Sequence, residues 1–245
     1  MLHQLALTVE ECNEGFDKFN FPQATTSLYN LWWYQICDVY LECLKPVFST
    51  GTDEQKALSR NVLYTCLHTG LALISPFMPF LSEELYQRLP PRTANTPPSI
   101  CVVPYPEFSE FKTFINEQAD TDFQLAQKIA GEVRSAKAKY DIAYKTKIEL
   151  TIQADNDSVM ASIEKVSQEI GTLSMASSIK ISKDKPEGSV PSPVGADCIA
   201  WLKLKGLVDL SKCKERIEKK KNDSESKIAS LLSDMSKPMY EKVCK

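Results

Sequence analysis

The sequence predicts a mainly α-helical protein, with an antiparallel helical bundle followed by a small α/β subdomain and a charged, coiled-coil-like C-terminal helix. Three observations lead to this fold class. Apolar residues recur about every 3.6 residues through the first part of the chain, the pattern changes to alternation at residues 147–152, and spaced apolar positions return in a highly charged segment from residue 207. The expected domains are the bundle at 1–99, a linker segment and basic helix at 100–145, the α/β subdomain at 146–206 and an incomplete basic coiled-coil helix at 207–245.

The bundle is predicted to form around one long central helix at residues 20–48. Pro22 suits the first helical turn, where its missing N–H costs nothing. Pro46 predicts the end of the helix, because the residue before a proline avoids the α conformation. The apolar stripe is wide enough to pack against two neighbours. It consists of Ala24, Leu28, Leu31, Trp32, Ile36, Val39, Tyr40, Cys43, Leu44 and Val47.

Three further helices complete the predicted bundle. The first covers residues 2–19, the third begins at a capping box formed by Thr52 and Gln55 and ends near residue 75, and the fourth begins at Pro79. Four helices joined by short connections are typical of an antiparallel bundle. The residues predicted to point inward from the third and fourth helices are Leu58, Val62, Cys66, Leu73, Phe80, Leu81, Leu85 and Leu89.

The second half of the chain is predicted to change its architecture. A proline-rich linker at 88–99 and a short extended piece at 100–103 lead to a helix at 117–140. Strands are expected at 147–152, 179–181 and 198–205, with a helix between the first two and a loop at 183–197. The final helix has a weak coiled-coil seam that needs a partner. Its apolar positions are Leu210, Ile217, Ile228, Leu231 and Met235.

Positive charge is concentrated in two segments, although the net charge of the chain is −3. Residues 128–147 contain six basic and two acidic side chains, and residues 203–221 contain eight basic and three acidic ones. Residues 1–60 have the opposite bias, with four basic and eight acidic side chains. A polyanion responds to such local charge, so the two basic segments are the candidate polyanion-binding surfaces.

Composition argues against several classes of protein. Eight cysteines without a Cys-x-x-Cys pair favour reduced thiols in the cytosol, and with two histidines we expect neither a metal site nor a histidine-based catalytic set. No glycine-rich phosphate loop occurs, and no catalytic residue is assigned. The uncharged stretch at 61–82 is long enough to span a bilayer, but its polar residues and two prolines favour a buried helix–turn–helix. We therefore expect a cytoplasmic protein with neither membrane nor DNA as a partner.

Two long motifs resemble a known family. Residues 37–42 read Cys-Asp-Val-Tyr-Leu-Glu, after Trp32 and Trp33 and before Lys45-Pro46, and residues 75–86 read Ser-Pro-Phe-Met-Pro-Phe-Leu-Ser-Glu-Glu-Leu-Tyr. Both resemble the anticodon-binding domain of class I aminoacyl-tRNA synthetases for branched aliphatic amino acids. Residues 20–26 and 37–46 are most similar to the eukaryotic valyl-tRNA synthetase family, of which this chain resembles the C-terminal part.

The resemblance implies a tRNA-binding region without catalytic activity of its own. The family's Rossmann domain, with its His-x-Gly-His and Lys-Met-Ser-Lys-Ser signatures, and its editing domain would precede Met1. ATP and Mg would belong to that catalytic domain, so no cofactor is expected in this chain. The family's returning coiled-coil helix is also missing. The chain is accordingly expected to be a C-terminal piece of such an enzyme or a truncated relative, unable to activate valine or charge tRNA alone.

Candidate tRNA-binding residues follow from the basic segments and the resemblance. Lysine and arginine side chains on an exposed face neutralise phosphates without reading sequence, while unpaired bases stack on aromatic rings. Trp33 is a candidate for base stacking or domain docking, since Trp32 occupies the apolar stripe. Lys137 stands where the family usually has a second arginine. The basic candidates are Arg134, Lys137 and Lys139, then Arg88 and Arg92, then Lys212, Lys214, Arg216, Lys219, Lys220 and Lys221.

Two alternatives to a valine tRNA-binding region remain at this stage. The chain could be a protein-interaction helical module of a multi-synthetase or translation-factor assembly, with other synthetases or an elongation factor as partners. It could also be the equivalent region of isoleucyl-tRNA synthetase. The protein-binding alternative predicts no salt-dependent RNA affinity, which distinguishes it from tRNA binding.

Overall fold

Ten α-helices and one four-stranded sheet form the described part of the chain. The computed structural model describes residues 1–90, 96–195, 198–204, 206–207 and 210–235, and within the last range the side chains of 218, 219, 221–233 and 235. The predicted combination of a helical bundle with a small α/β part is confirmed. The bundle helices are α1 (Leu2–Asp17), α2 (Phe21–Tyr29), a π-helix (Asn30–Tyr40), α3 (Leu41–Thr50), α4 (Asp53–Ile74) and α5 (Pro79–Tyr86).

The central helix is continuous from α2 through the π-helix to α3, with right-handed helical backbone at both junctions. The predicted end at Pro46 is wrong, because Pro46 lies inside α3, which continues to Thr50. An interior proline costs about 3 kcal/mol. Burial of Leu44 and the packing of α3 against α4 and against the helix at Ser167–Ser174 offset this cost.

The predicted apolar stripe forms the bundle core. Leu28 of the central helix packs with Val9 and Cys12 of α1 and Leu73 of α4. The predicted capping box of α4 is confirmed: Gln55 N–H donates to Thr52 Oγ1 at 3.2 Å, and Thr52 N–H donates to Gln55 Oε1 at 2.9 Å. The stripe residues buried in the structure are Ala24, Leu28, Leu31, Ile36 and Leu44.

The inward faces predicted for α4 and α5 are partly wrong. Leu58 is 65% exposed and Phe80 is 90% exposed, and Leu81 and Leu85 are exposed as well. The buried residues of α5 are instead Ser82 and Tyr86, whose hydroxyl donates to the Pro97 carbonyl at 2.8 Å. A short helix with apolar residues on more than one face does not itself determine which face is covered.

The segment after the linker packs on the bundle. It contains a 3₁₀-helix at Ile100–Val102, where an extended piece was predicted, followed by α6 (Phe108–Phe111) and a second 3₁₀-helix at Lys112–Phe114. Asn13 of α1 holds this segment by donating to the Pro106 carbonyl at 3.0 Å and accepting from Phe108 N–H at 2.9 Å.

The α/β part is one sheet covered by helices. Its strand order is β2-β1-β4-β3, with β1 parallel to β2 and antiparallel to β4, and β4 antiparallel to β3. The helix predicted at 117–140 packs on this sheet and on the helix at Ser167–Ser174. The elements are α7 (Glu117–Lys139), β1 (Ile148–Ala154), α8 (Asp157–Lys165), α9 (Ser167–Ser174), β2 (Ala176–Ser182), β3 (Val190–Val194) and β4 (Cys198–Lys203).

Strand β3 lies within the predicted loop at 183–197 and was not predicted. Pro191 and Pro193 made a strand improbable there, since proline cannot donate to a strand ladder. Both prolines are accommodated because β3 is the edge strand, paired with β4 on one side.

The bundle and the α/β part meet at the N-terminal end of α7. Gln4 Nε2 donates to Asp120 Oδ1 at 2.6 Å, and His3 Nδ1 accepts from Asn116 N–H at 3.1 Å. Helix α3 also packs against α9. The rotation of α7 relative to the bundle is therefore held from two sides.

The last helix is α10 (Leu210–Met235). Its predicted seam residues Ile228, Leu231 and Met235 are exposed, as is Leu232. Pairing of this helix in a coiled coil stays a prediction. Among the described residues, no helix has both the length and the apolar character needed to cross a membrane.

Candidate nucleic-acid interface

The C-terminal end of α7 and the loop after it form a basic surface. Arg134 and Lys139 are exposed on α7, and Lys145 and Lys147 are exposed in the loop at 140–147. Asp141 adopts a left-handed conformation with φ of 58°, which turns the chain at the start of this loop. Cations near a helix C-terminus are also favoured by the helix dipole. These four side chains are defined here as the α7 basic surface.

Lys137 does not belong to this surface, and the prediction that it contacts phosphate from an exposed face is wrong. Its side chain is 1% exposed, and its Nζ donates to the carbonyls of Thr146 at 2.8 Å and Ser174 at 2.9 Å. Burial lowers the pKa of its amine below the ordinary lysine value. The helical period puts Lys137 beside Ala136 and Val133, on the side of α7 that faces the sheet.

The second predicted group contributes one described side chain. Arg88 is exposed but forms an ion pair with Glu84 one turn earlier on α5, and its Nε donates to Glu84 Oε1 at 3.1 Å. Part of its charge is therefore already compensated. Arg92 lies outside the described residues.

The third predicted group lies on α10. Lys219 and Lys221 are exposed, and Lys221 Nζ lies 3.7 Å from Glu225 Oε1. The helix continues through the positions of Lys212, Lys214, Arg216 and Lys220, whose side chains lie outside the described residues.

Trp33 belongs to an exposed aromatic cluster in which Tyr29 contacts both other rings. Its indole is 56% exposed and stacks on Tyr29, with ring centroids 6.2 Å apart and an interplanar angle of 4°. Tyr34, which is also exposed, meets Tyr29 edge to face at 5.7 Å. Neither tyrosine was predicted as a site residue, although the four-residue spacing of Tyr29 and Trp33 places two rings together on a helix. These three residues are defined here as the aromatic cluster.

The aromatic cluster sits where the helix widens and where the charge is negative. Trp33 and Tyr34 are in the π-helix, a conformation often found at functional sites. Partial desolvation is the largest effect that raises the pKa of Tyr29, followed by the neighbouring Tyr34 and Asp38. Residues 19–44 carry Asp38 and Glu42 but no lysine or arginine. Lys45, one residue beyond this stretch, pairs with Glu42, so the stretch offers ring faces with few charges of its own.

A family model described as the anticodon-binding domain of tRNA ligase matches residues 1–154. The chain belongs to this family. The match includes the aromatic cluster and the whole α7 basic surface, whereas α10 lies after it.

Similar proteins agree with this membership. The valine–tRNA ligase of Takifugu rubripes is 37% identical over 98% of this chain and 20% of the ligase. That of Rattus norvegicus is 39% identical over 91% of the chain and 18% of the ligase, and the mitochondrial enzyme of Mus musculus is 30% identical over 99% and 23%. The resemblance predicted from the motifs is confirmed, and the chain spans about a fifth of the length of these relatives.

The described residues present groups that are suited to binding a nucleic acid. Within the ranges described above, no three His, Cys, Asp or Glu side chains are grouped to hold a metal ion. The arrangement provides exposed ammonium and guanidinium groups for phosphates and exposed rings for stacking.

Proposed function

We propose that this chain is the tRNA-binding region of a valine–tRNA ligase. The observation that carries the proposal is the exposed α7 basic surface, which falls within the residues that match the anticodon-binding family. Of the predicted residues, Arg134 and Lys139 are the primary phosphate contacts. Lysine and arginine at phosphates supply affinity that falls as salt rises, because bound counterions are released.

The remaining predicted residues have separate parts in this proposal. The basic residues of α10 reach the body of the tRNA, and Arg88 is a weaker contact because Glu84 already binds it. Trp33, stacked on Tyr29, presents a broad ring surface on which an unpaired anticodon base can stack. Stacking tolerates the acidic surroundings of the cluster better than phosphate binding does, since it requires ring area rather than charge.

The activity belongs to the longer enzyme. A valine–tRNA ligase attaches valine to its tRNA with ATP, and ATP and Mg would bind its catalytic domain. This chain would contribute binding energy and orientation of the tRNA. We also propose a cytoplasmic location, as in the prediction, although one of the relatives above is mitochondrial. Membership of the anticodon-binding family does not favour the purely protein-binding alternative. Contacts with other synthetases or an elongation factor stay predictions.

Binding of this chain to labelled valine, isoleucine and leucine tRNAs tests the proposal. Fluorescence anisotropy at about 50 mM and about 200 mM salt should give tighter, salt-sensitive binding to valine tRNA. Equal binding to all three tRNAs would restrict the function to nonspecific RNA binding. Absence of salt-sensitive binding to any of them would refute RNA binding by this chain.

A further inference from the structure

The amine of Lys137 joins two segments that are distant in the sequence. Besides its hydrogen bonds to the Thr146 and Ser174 carbonyls, its Nζ lies 3.4 Å from the Tyr144 carbonyl and 3.5 Å from the Met175 carbonyl. Two of these acceptors belong to the loop at 140–147, and two lie at the C-terminal end of α9. The side chain thus ties the loop to α9 through main-chain oxygens.

The buried ammonium group of Lys137 uses its hydrogen-bond donors on main-chain carbonyls and not on a carboxylate. Among the described residues, no acidic side chain forms an ion pair with Lys137. A buried ammonium is costly unless its three N–H donors are used. The carbonyls at the end of α9 suit it, because the last carbonyls of a helix carry partial negative charge and lack intrahelical partners.

Burial of Ile142 in the core and a few main-chain hydrogen bonds are the other contacts that shape the loop. Its internal main-chain hydrogen bond runs from Thr146 N–H to the Ala143 carbonyl at 2.9 Å, and Ile142 N–H donates to the Lys137 carbonyl at 2.9 Å. Lys145 lies between the two carbonyls that face the Lys137 amine, and Lys147 follows them directly. Tyr144 is itself 46% exposed. The loop is therefore held by main-chain hydrogen bonds and by the buried Ile142, while the exposed side chains of Tyr144, Lys145 and Lys147 can meet a ligand.

We propose that Lys137 is the positioning residue of an RNA-contacting loop, in which Lys145 and Lys147 bind phosphates and Tyr144 offers its ring to an unpaired base. The inference rests on the proposed tRNA-binding function and adds three contact residues to it. Lys137 itself touches no RNA. It acts by keeping the loop lysines at a constant spacing, which lowers the entropy lost on binding.

Valine tRNA binding and amide hydrogen exchange by the full chain test this role. The variants are Lys137→Met, the loop variant K145A/K147A, their combination, and Lys112→Met as the control, since Lys112 is an exposed lysine outside the two basic segments. Two lost charged hydrogen bonds should weaken binding by about 100-fold in the loop variant. Lys137→Met should lose as much, and the combination should lose no more. Lys112→Met should bind as tightly as the wild-type chain.

Exchange provides the readout that global destabilisation would not reproduce. In Lys137→Met the amides of residues 142–148 should exchange faster, while those of α1 and α4 keep wild-type protection. If α1 or α4 also loses protection in Lys137→Met, the measurement is repeated with Lys137→Gln. The shorter glutamine side chain cannot reach both the loop and α9.

Three results would overturn the proposal. Unchanged binding by K145A/K147A would remove the loop from the interface. Faster loop exchange with unchanged affinity would remove Lys137 from any positioning role, and losses that multiply in the combined variant would make the sites independent. Failure of the wild-type chain to bind tRNA is a different outcome and would refute the proposed function itself.

Discussion

The aromatic cluster and the α7 basic surface are both exposed, but they differ in charge and in the part of the fold that lies beneath them. The cluster lies in a stretch with two acids and no lysine or arginine, at the junction of α2 with a π-helix whose other face is bundle core. The basic surface lies on the α/β part, where Lys137 is buried beneath it. The bundle contact at Asp120 and the basic end at Lys139 are about 28 Å apart along α7, at about 1.5 Å per residue.

This difference separates two kinds of RNA contact. Phosphate binding depends on cations and weakens with salt, whereas stacking depends on ring area and changes little with salt. Because the two surfaces belong to different parts of the fold, each can be altered without disturbing the other. Salt dependence is therefore the quantity that distinguishes them.

The largest expected effect comes from removing the two predicted cations of the α7 basic surface. R134A/K139A should weaken valine tRNA binding by about 100-fold, at about tenfold for each charged contact, and should reduce the slope of log affinity against log salt by about two. Anisotropy titrations at several salt concentrations measure both. Lys18→Ala, which removes an exposed lysine from the bundle, is the control and should leave both unchanged. An unchanged slope in R134A/K139A would move the phosphate contacts elsewhere.

Trp33→Ala should have the next largest effect. Loss of one base stack should weaken binding by about 5- to 150-fold, corresponding to about 1–3 kcal/mol, with the salt slope unchanged. Phe80→Ala is the matched control, since Phe80 is the other strongly exposed bundle aromatic considered above. Equal affinities of wild type and Trp33→Ala would assign the cluster to a protein contact instead. A reduced slope would mean that the two surfaces are not separate.

The smallest expected effect concerns stability of the bundle beneath the cluster. A Cβ at Gly70 would lie 2.9 Å from Trp32 Cζ2, so Gly70→Ala must displace the indole next to Trp33. Overpacking should lower the free energy of unfolding by about 1–3 kcal/mol, and the better helix propensity of alanine should raise it by about 1 kcal/mol. Urea unfolding measures the net loss. Gly131→Ala, whose Cβ would meet nothing within 4 Å, should instead be slightly stabilising. Equal effects of both substitutions would contradict the close packing of Trp32.

Prediction from sequence succeeded where neighbouring residues decide the outcome. The capping box of α4 needs Thr52 and Gln55 three positions apart, and β1 follows from the alternation of Ile148, Leu150 and Ile152. It failed where another element decides. Pro46 was read as a helix end because the packing of α3 on α9 is invisible in a local pattern.

The candidate site divides in the same way. The presence of a positively charged surface could be predicted from the sequence. Six basic residues lie within 128–147, and a helix cannot bury all of their side chains. The burial of Lys137 could not, since its hydrogen-bond acceptors at Ser174 and Met175 lie 37 and 38 residues away. Tyr29 and Tyr34 were missed because they lie off the predicted apolar stripe, although the four-residue spacing of Tyr29 and Trp33 was a usable signal.

The sequence by itself determined the helices, their caps, the change to strands, the location of charge and, through two motifs, the family. Periodicity and capping are short-range and are written in neighbouring residues. Which faces are covered, which lysine is buried and which rings reach solvent were decided by the tertiary structure alone. Burial depends on elements brought together from distant parts of the chain. Lys137 stabilises the fold instead of facing a ligand because it meets the Thr146 and Ser174 carbonyls there.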